Sequence, residues 1–201
     1  MTLAFTKMHG AGNDFVVIDA TRQPFHATPE RLELRHGADG LIQVNLGAPA
    51  FAPQDIPLTL APAEVYRLSV PGHGEVAFRA LSMGNPHAVI TVADVSTAPV
   101  TTLGPALQAL PAFPESVNVG FMAVLARDAI ALRVYERGAG ETLACGSGAC
   151  AAVVAGIQAG LLDTHVQVRV PGGQLAVRWA GGDAPVWLAG DTDTVYRGEL
   201  L

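Results

Sequence analysis

Residues 135–160 read YERGAGETLACGSGACAAVVAGIQAG, and the fold of this stretch decides how the rest of the chain is arranged. A glycine-rich turn leads into Cys145, and the small residues after it predict a helix over 146–159 that Gly160 stops. A sulfur at a helix N-terminus faces unpaired backbone N–H groups and the positive end of the macrodipole. That setting favours the thiolate and should lower the Cys145 pKa below the free value of about 8.5. Glycines on both sides leave the backbone open to a ligand. Cys145 is therefore the first catalytic candidate, whereas Cys150, turned away from the helix mouth, reads as a packing residue.

Working outward, the 201 residues are half hydrophobic and carry a net charge of −6, enough for one substantial core or two small ones. No apolar run is long enough to span a bilayer, and the first residues lack the pattern of a signal peptide, so a cytoplasmic location is expected. Two cysteines five apart in one helix are badly placed to pair, which suits a reducing compartment. The acidic balance without a basic cluster argues against nucleic acid. Lys7 is the single lysine and the sole candidate for a pyridoxal phosphate Schiff base, so no cofactor is expected, and no metal.

In chain order, strands are expected over 3–7 and 15–19 with a glycine-rich turn between them, then a helix over 29–35 and a strand over 41–46. Residues 47–62, rich in Pro and Ala, read as a crossing segment between domains. Strands follow at 65–70, 76–81 and 87–92, and then a short helix over 104–110 opened by Gly-Pro. Two strands lead to the Cys145 helix, and four more follow it. Many strands and one long helix favour an α+β fold, a sheet wrapped around a helix, over a doubly wound sheet.

The chain has four asparagines, Asn13, Asn45, Asn85 and Asn118, three of them at glycine-rich strand ends. Uncharged amides suit the ammonium and carboxylate of an amino acid, although asparagine beside glycine is equally a turn former. MHGAGNDFVVID and MGNPHAVITVAD share Met, Gly and Asn ahead of a Val/Ile strand, the trace of an internal repeat.

KMHGAGNDF, HGADGL, SMGNPH, VNVGF, YERGAGET and ACGSGAC together resemble the diaminopimelate epimerase family. The resemblance implies two pseudo-symmetric halves, each a barrel-like sheet around a central helix. Here residues 1–46 with 191–201 would form a truncated N-terminal domain, and 47–190 the C-terminal domain. It further implies cofactor-independent interconversion of LL- and meso-diaminopimelate by two cysteines, one acting as base and the other as acid. Cys145 matches one of these. His87 and Glu136 fall where groups tune the cysteines' protonation. Asn13, Asn85, Asn118, Glu136, Arg137, Gly146 and Ser147 fall on substrate-contacting positions.

The motifs of the first cysteine, similar to FNADGSE and CGNGAR, do not occur, and about a quarter of the usual length of the family's chain is absent. The repeat spacing would put a partner for Cys145 at His73, which lies in a turn with no helix after it. The incomplete half should leave its apolar strands poorly covered, and a homodimer, in which a partner subunit could cover them, is expected. Two other readings compete with the isomerase: a non-catalytic remnant or diaminopimelate-binding protein, and a cysteine hydrolase using Cys145 and His87. The last lacks a third group to orient the histidine.

Overall fold

The computed structural model describes residues 3–11, 13–17, 33–36, 42–191 and 193–200. The strands are β1 (Leu3–Gly10), β2 (Asn13–Val17), β3 (Glu33–His36), β4 (Ile42–Asn45), β5 (Tyr66–Val70), β6 (Gly74–Ser82) and β7 (Pro86–Thr91), followed by helix α1 (Val100–Gln108). Then come β8 (Asn118–Ala126), β9 (Ala129–Glu136), β10 (Gly140–Thr142), helix α2 (Gly146–Gln158), β11 (His165–Val170), β12 (Gly173–Arg178), β13 (Trp187–Gly190) and β14 (Asp193–Leu200).

A large sheet runs in the order β3-β4-β13-β12-β11-β9-β8-β7-β6-β5, with β10 beside β9, and a three-stranded sheet runs β14-β1-β2. Every pairing is antiparallel except β7 with β8 and β9 with β11. Those two joints are the ones spanned by α1 and α2, as parallel neighbours require a crossover connection.

The large sheet curls around α2, which packs against β6, β7, β8, β9, β12 and β13. Close wrapping is possible because α2 is built of small residues: Ala149, Cys150, Ala151, Ala152, Val153 and Val154 are fully buried. The helix ends in a Schellman pattern. Leu161 N–H bonds the Gly156 carbonyl at 3.0 Å, Gly160 N–H bonds that of Ile157 at 2.9 Å, and Gly160 takes φ 70°. The expected α+β class, with a sheet around this helix, is the fold observed. No helix occurs among the described residues of the first 46.

Alternation along the strands sorts side chains between two cores. Leu81, Val89, Met122, Ile130, Leu132 and Val134 face α2, while Phe78, Ala80, Ala88, Ile90, Val119 and Phe121 face α1. Continued to the strand ends, the α2-facing parity reaches His87 on β7, Asn118 on β8 and Glu136 on β9.

Four expectations need correction. Residues 33–35, expected in a helix, form β3, paired antiparallel with β4 from Glu33–Asn45 to His36–Ile42; a seven-residue helix has too few internal bonds to resist such pairing. The rest of that proposed helix lies outside the described residues, as do positions 18 and 19 of the proposed second strand. Helix α1 starts at Val100, not at Gly104: Pro99 is its N-cap and Pro105 lies inside, because Val100, Leu103 and Leu107 at helical spacing are buried against the sheet. Segment 47–62 is more than a connection, since Ile56 and Leu58 are 0% and 5% exposed in the α1-side core. The first strand also continues through Met8, His9 and Gly10, leaving Ala11 in the turn at φ 50°.

Candidate active site at the mouth of α2

Cys145 is the N-cap of α2, with extended φ −132° and ψ 109°. The first bond inside the helix runs from Ala149 N–H to the Cys145 carbonyl at 2.9 Å, so the N–H groups of Gly146, Ser147 and Gly148 have no partner within the helix. Side chains from β7, the turn before it, β9 and β10 converge on this mouth.

The Cys145 Sγ donates to Glu136 Oε2 at 3.0 Å and lies 3.7 Å from Ser147 Oγ. Asn85 Nδ2 donates to Ser147 Oγ at 3.3 Å, and Asn85 Oδ1 meets His87 Nε2 at 2.9 Å. With Asn85 oriented this way the neutral imidazole carries its proton on Nε2. Five of the sequence candidates, His87, Asn85, Ser147, Cys145 and Glu136, thus form one line of polar contacts.

The protonation of Cys145 reverses the sequence expectation. Cys145 is 4% exposed, and its pKa is pushed up to about 12, first by burial and then by the hydrogen bond to Glu136 and that residue's charge. The Gly148 N–H and the Ser147 hydroxyl pull the other way and are outweighed. The helix-mouth argument is right in sign but counts only one of the forces present: the loss of water around sulfur exceeds the pull of the dipole. The resting group is a thiol. Cys150, fully buried, is also raised, by burial and by Cys145, in keeping with a packing role.

His87, 1% exposed, has its pKa lowered to about 3, by burial and then by the positive charge of Arg137. It is neutral at ordinary pH and sits opposite Asn118 in the β7–β8 register.

Asn118 is 3% exposed, and both ends of its amide hold backbone. Nδ2 donates to the Pro86 carbonyl at 3.0 Å, and Oδ1 accepts the Arg137 N–H at 2.9 Å. It therefore fixes the ends of β7 and β9 against each other. The Arg137 side chain is exposed and donates from Nη1 to the Glu115 carbonyl at 3.0 Å. A Cβ at Gly146 would stand 2.9 Å from Leu188 Cδ2, so β13 closes on the helix entrance. Asn13 opens β2 in the other sheet, paired with Gly10, and its side chain lies outside the described part. His73 falls in the β5–β6 turn.

Two partners of this group escaped the sequence reading. Thr142 Oγ1 donates to Glu136 Oε1 at 2.5 Å, and Arg133 clamps Glu141 with two bonds of 2.7 and 3.0 Å. The available signal was the hairpin GAGET, which returns Thr142 opposite Val134, on the face that Glu136 shares. A cavity of about 440 Å³ lies by Gln158, the last residue of α2, lined also by Phe51, Glu64 and Arg79; it includes none of the residues above.

The diaminopimelate epimerase family model matches residues 79–195. The diaminopimelate epimerase of Chromobacterium violaceum is 40% identical over 275 aligned positions, covering 100% of this chain and 99% of that protein. This chain belongs to the diaminopimelate epimerase family. The diaminopimelate epimerase of Nitrosomonas eutropha gives the same identity over 277 positions, with the same coverage. An alignment of 275 positions against 201 residues leaves at least 74 (275 less 201) with no residue in this chain.

At lower identity the fold alone is shared. A probable proline racemase from Agrobacterium radiobacter superposes with TM-score 0.60 at 15% identity, covering 88% of this chain and 62% of that one. A hydroxyproline epimerase from Agrobacterium vitis gives TM-score 0.57 at 16%, covering 88% and 61%. This diaminopimelate epimerase family member thus keeps a fold common to amino acid epimerases and racemases. No described helix is long and apolar enough to cross a membrane.

Proposed function

We propose that this chain is a diaminopimelate epimerase-like isomerase that retains one half of the two-cysteine acid/base device, with Cys145 moving the α-proton. The observation that carries the reading is the buried Cys145 thiol at the mouth of α2, donating to Glu136 at 3.0 Å. As an acid, the thiol gives its proton to the α-carbon of a substrate carbanion and becomes a thiolate. As a base, it first passes that proton to Glu136, and the thiolate then takes the α-proton. The free N–H groups of Gly146 and Ser147 supply fixed donors for the carboxylate beside the reacting carbon, where negative charge develops. No pyridoxal phosphate is needed for this transfer. Asn13, Asn85 and Arg137 are assigned to holding diaminopimelate, and Asn118 to holding the strands that carry Arg137.

Inversion needs a second group on the opposite face of the α-carbon. We assign the missing aligned positions to the point after HGADGLI, where Ile42 runs directly into Gln43 and the first cysteine would stand. The chain should therefore exchange the α-proton on one face without efficient inversion. The test is incubation of LL- and of meso-diaminopimelate in deuterated buffer, followed by NMR and chiral chromatography. Deuterium uptake lost in Cys145→Ser, with configuration retained, is the expected result. Inversion at an enzyme-like rate would overturn it.

The absent positions also favour the reading as a binding protein, for which diaminopimelate binds without exchange and Cys145→Ser leaves binding unchanged. A cytoplasmic homodimer is part of the proposal, and sedimentation of the purified chain tests the dimer.

A further inference from the structure

Glu136 uses its two carboxyl oxygens for different partners. Oε2 accepts the Cys145 thiol at 3.0 Å, and Oε1 accepts the Thr142 hydroxyl at 2.5 Å. The Thr142 hydroxyl has one proton to give, and its other acceptor in reach is the Ala144 carbonyl at 3.4 Å, so the carboxyl oxygen is the better partner.

Thr142 is itself held from outside the site. It ends β10, which pairs with β9 from Gly140–Glu136 to Thr142–Val134. The residue before it, Glu141, takes Nε and Nη2 of Arg133, whose Nη1 donates to the Val95 carbonyl at 2.7 Å. Arg133 and Glu141 are 23% and 24% exposed in this bidentate pair, a geometry that holds both side chains in one place. The hairpin is thereby tied to the loop between β7 and α1, and the Thr142 hydroxyl to a fixed point.

A half-buried carboxyl group rotates about its last bond unless one oxygen is anchored, and an unanchored one is free to turn toward water. We propose that Thr142 is a positioning residue: its hydroxyl locks the Glu136 carboxyl so that Oε2 faces the Cys145 sulfur, and so sets how readily that thiol gives up its proton. This rests on the reading of Cys145 as the acid/base group.

The two ideas fail separately, because the test reads thiol chemistry and not turnover. Iodoacetamide alkylation of the Cys145 peptide is followed by mass spectrometry between pH 7 and pH 10 in the whole chain. Alkylation reports the thiolate fraction, which rises about tenfold per pH unit while pH is well below the pKa. In the unaltered chain the rate should climb tenfold per unit throughout. Thr142→Val removes the anchor and with it the aligned bond to Glu136, which raises the pKa second to burial, so its rate should run several-fold above that of the unaltered chain, and Thr142→Ser should restore the lower rate. Loss of a hydroxyl that only opened the site would also bring water to the sulfur and raise the rate, so the Thr142 change is repeated in Glu136→Gln: it should have no further effect there if the hydroxyl acts through the carboxyl. An unchanged rate in Thr142→Val, failure of Thr142→Ser to restore it, or an equal increase in the Glu136→Gln background would overturn the proposal. Thr142→Ala removes the same hydroxyl without the branched bulk and is read identically should the valine variant be insoluble. If the rate rises only with Glu136 present while deuterium exchange is absent, Thr142 positions Glu136 and only the isomerase reading is lost.

Discussion

Helices α1 and α2 do the same topological job on opposite faces of one sheet, yet only α2 carries chemistry. Each spans a parallel joint, β7 to β8 for α1 and β9 to β11 for α2. Helix α1 fills its side with Val100, Leu103 and Leu107, and the core there is apolar, with Phe78, Phe113 and Phe121, apart from the Tyr66 hydroxyl, which accepts the Ala63 N–H at 3.3 Å. Helix α2 offers Ala, Gly, Val and Cys, and its side gathers the titratable groups His87, Cys145 and Cys150, all at most 4% exposed. Small residues bring the strands close enough for their polar ends to meet at the helix mouth. The lesson is that a reactive group can be buried where the helix is thin, because the sheet itself supplies the partners.

The largest effect expected from this contrast is the response of stability to pH, which should come from the α2 side. His87 has a folded pKa near 3 against an ordinary 6.5, so below pH 6.5 the unfolded chain takes a proton that the folded chain refuses. Stability should fall by up to about 1.4 kcal/mol per pH unit as pH drops from 6.5 toward 3. At the alkaline end Cys145 is raised from 9.0 to about 12, so its contribution, whole below pH 9, should be lost as pH rises from 9 to 12. Urea unfolding across pH checks both limbs. His87→Gln should flatten the acid limb, and Cys145→Ala should lessen the alkaline one, where the raised Cys150 thiol also contributes; unchanged slopes would break the contrast.

Next come two glycines, one in each helix. A Cβ at Gly104 of α1 would stand 2.6 Å from both Cβ and Cγ of Tyr135, atoms tied to the β9 backbone that cannot swing aside. Gly104→Ala should cost about 2 kcal/mol, even after the helix-propensity gain of about 1 kcal/mol. At Gly156 of α2 the neighbours are Leu162 Cδ1 at 2.3 Å and Cγ at 2.8 Å, the movable end of a side chain. Gly156→Ala should cost about 1 kcal/mol or less. Denaturant midpoints in the reverse order would show that α2, not α1, is the tighter fit.

The smallest effect belongs to neither helix. Arg67 and Glu75 pair at 3.2 Å on the β5–β6 hairpin at the sheet edge, with side chains 62% and 66% exposed, and Arg67→Ala should change stability by less than about 0.5 kcal/mol.

Much of the α2 side was legible because its signals are local: the glycine turn, the run of small residues and the Gly160 stop each act within a few positions. The members of the polar line from His87 to Glu136 were named by the family resemblance of their motifs, and the period-two pattern of β7 and β9 is what brings His87 and Glu136 to the α2 side. Three things could not be read. The start of α1 depended on which residues the sheet would bury, and so Gly104-Pro105 drew the boundary a turn late. The pairing of β3 with β4 joins residues whose local preferences do not declare it. The high pKa of Cys145 required knowing that the mouth is closed to water and that Glu136, nine positions earlier, points its Oε2 at the sulfur. Local sequence shows the dipole but not the desolvation.

The shared parity of His87, Asn118 and Glu136 has a genetic consequence. Side chains on a strand change face with every step, so inserting or deleting a single residue inside β8 or β9 would send that strand's polar end to the α1 side and its phenylalanine or tyrosine into the small-residue helix. Exchanging one residue for another along these strands leaves that arrangement in place and changing their count does not, whereas the turns between them can lengthen without disturbing which face meets α2.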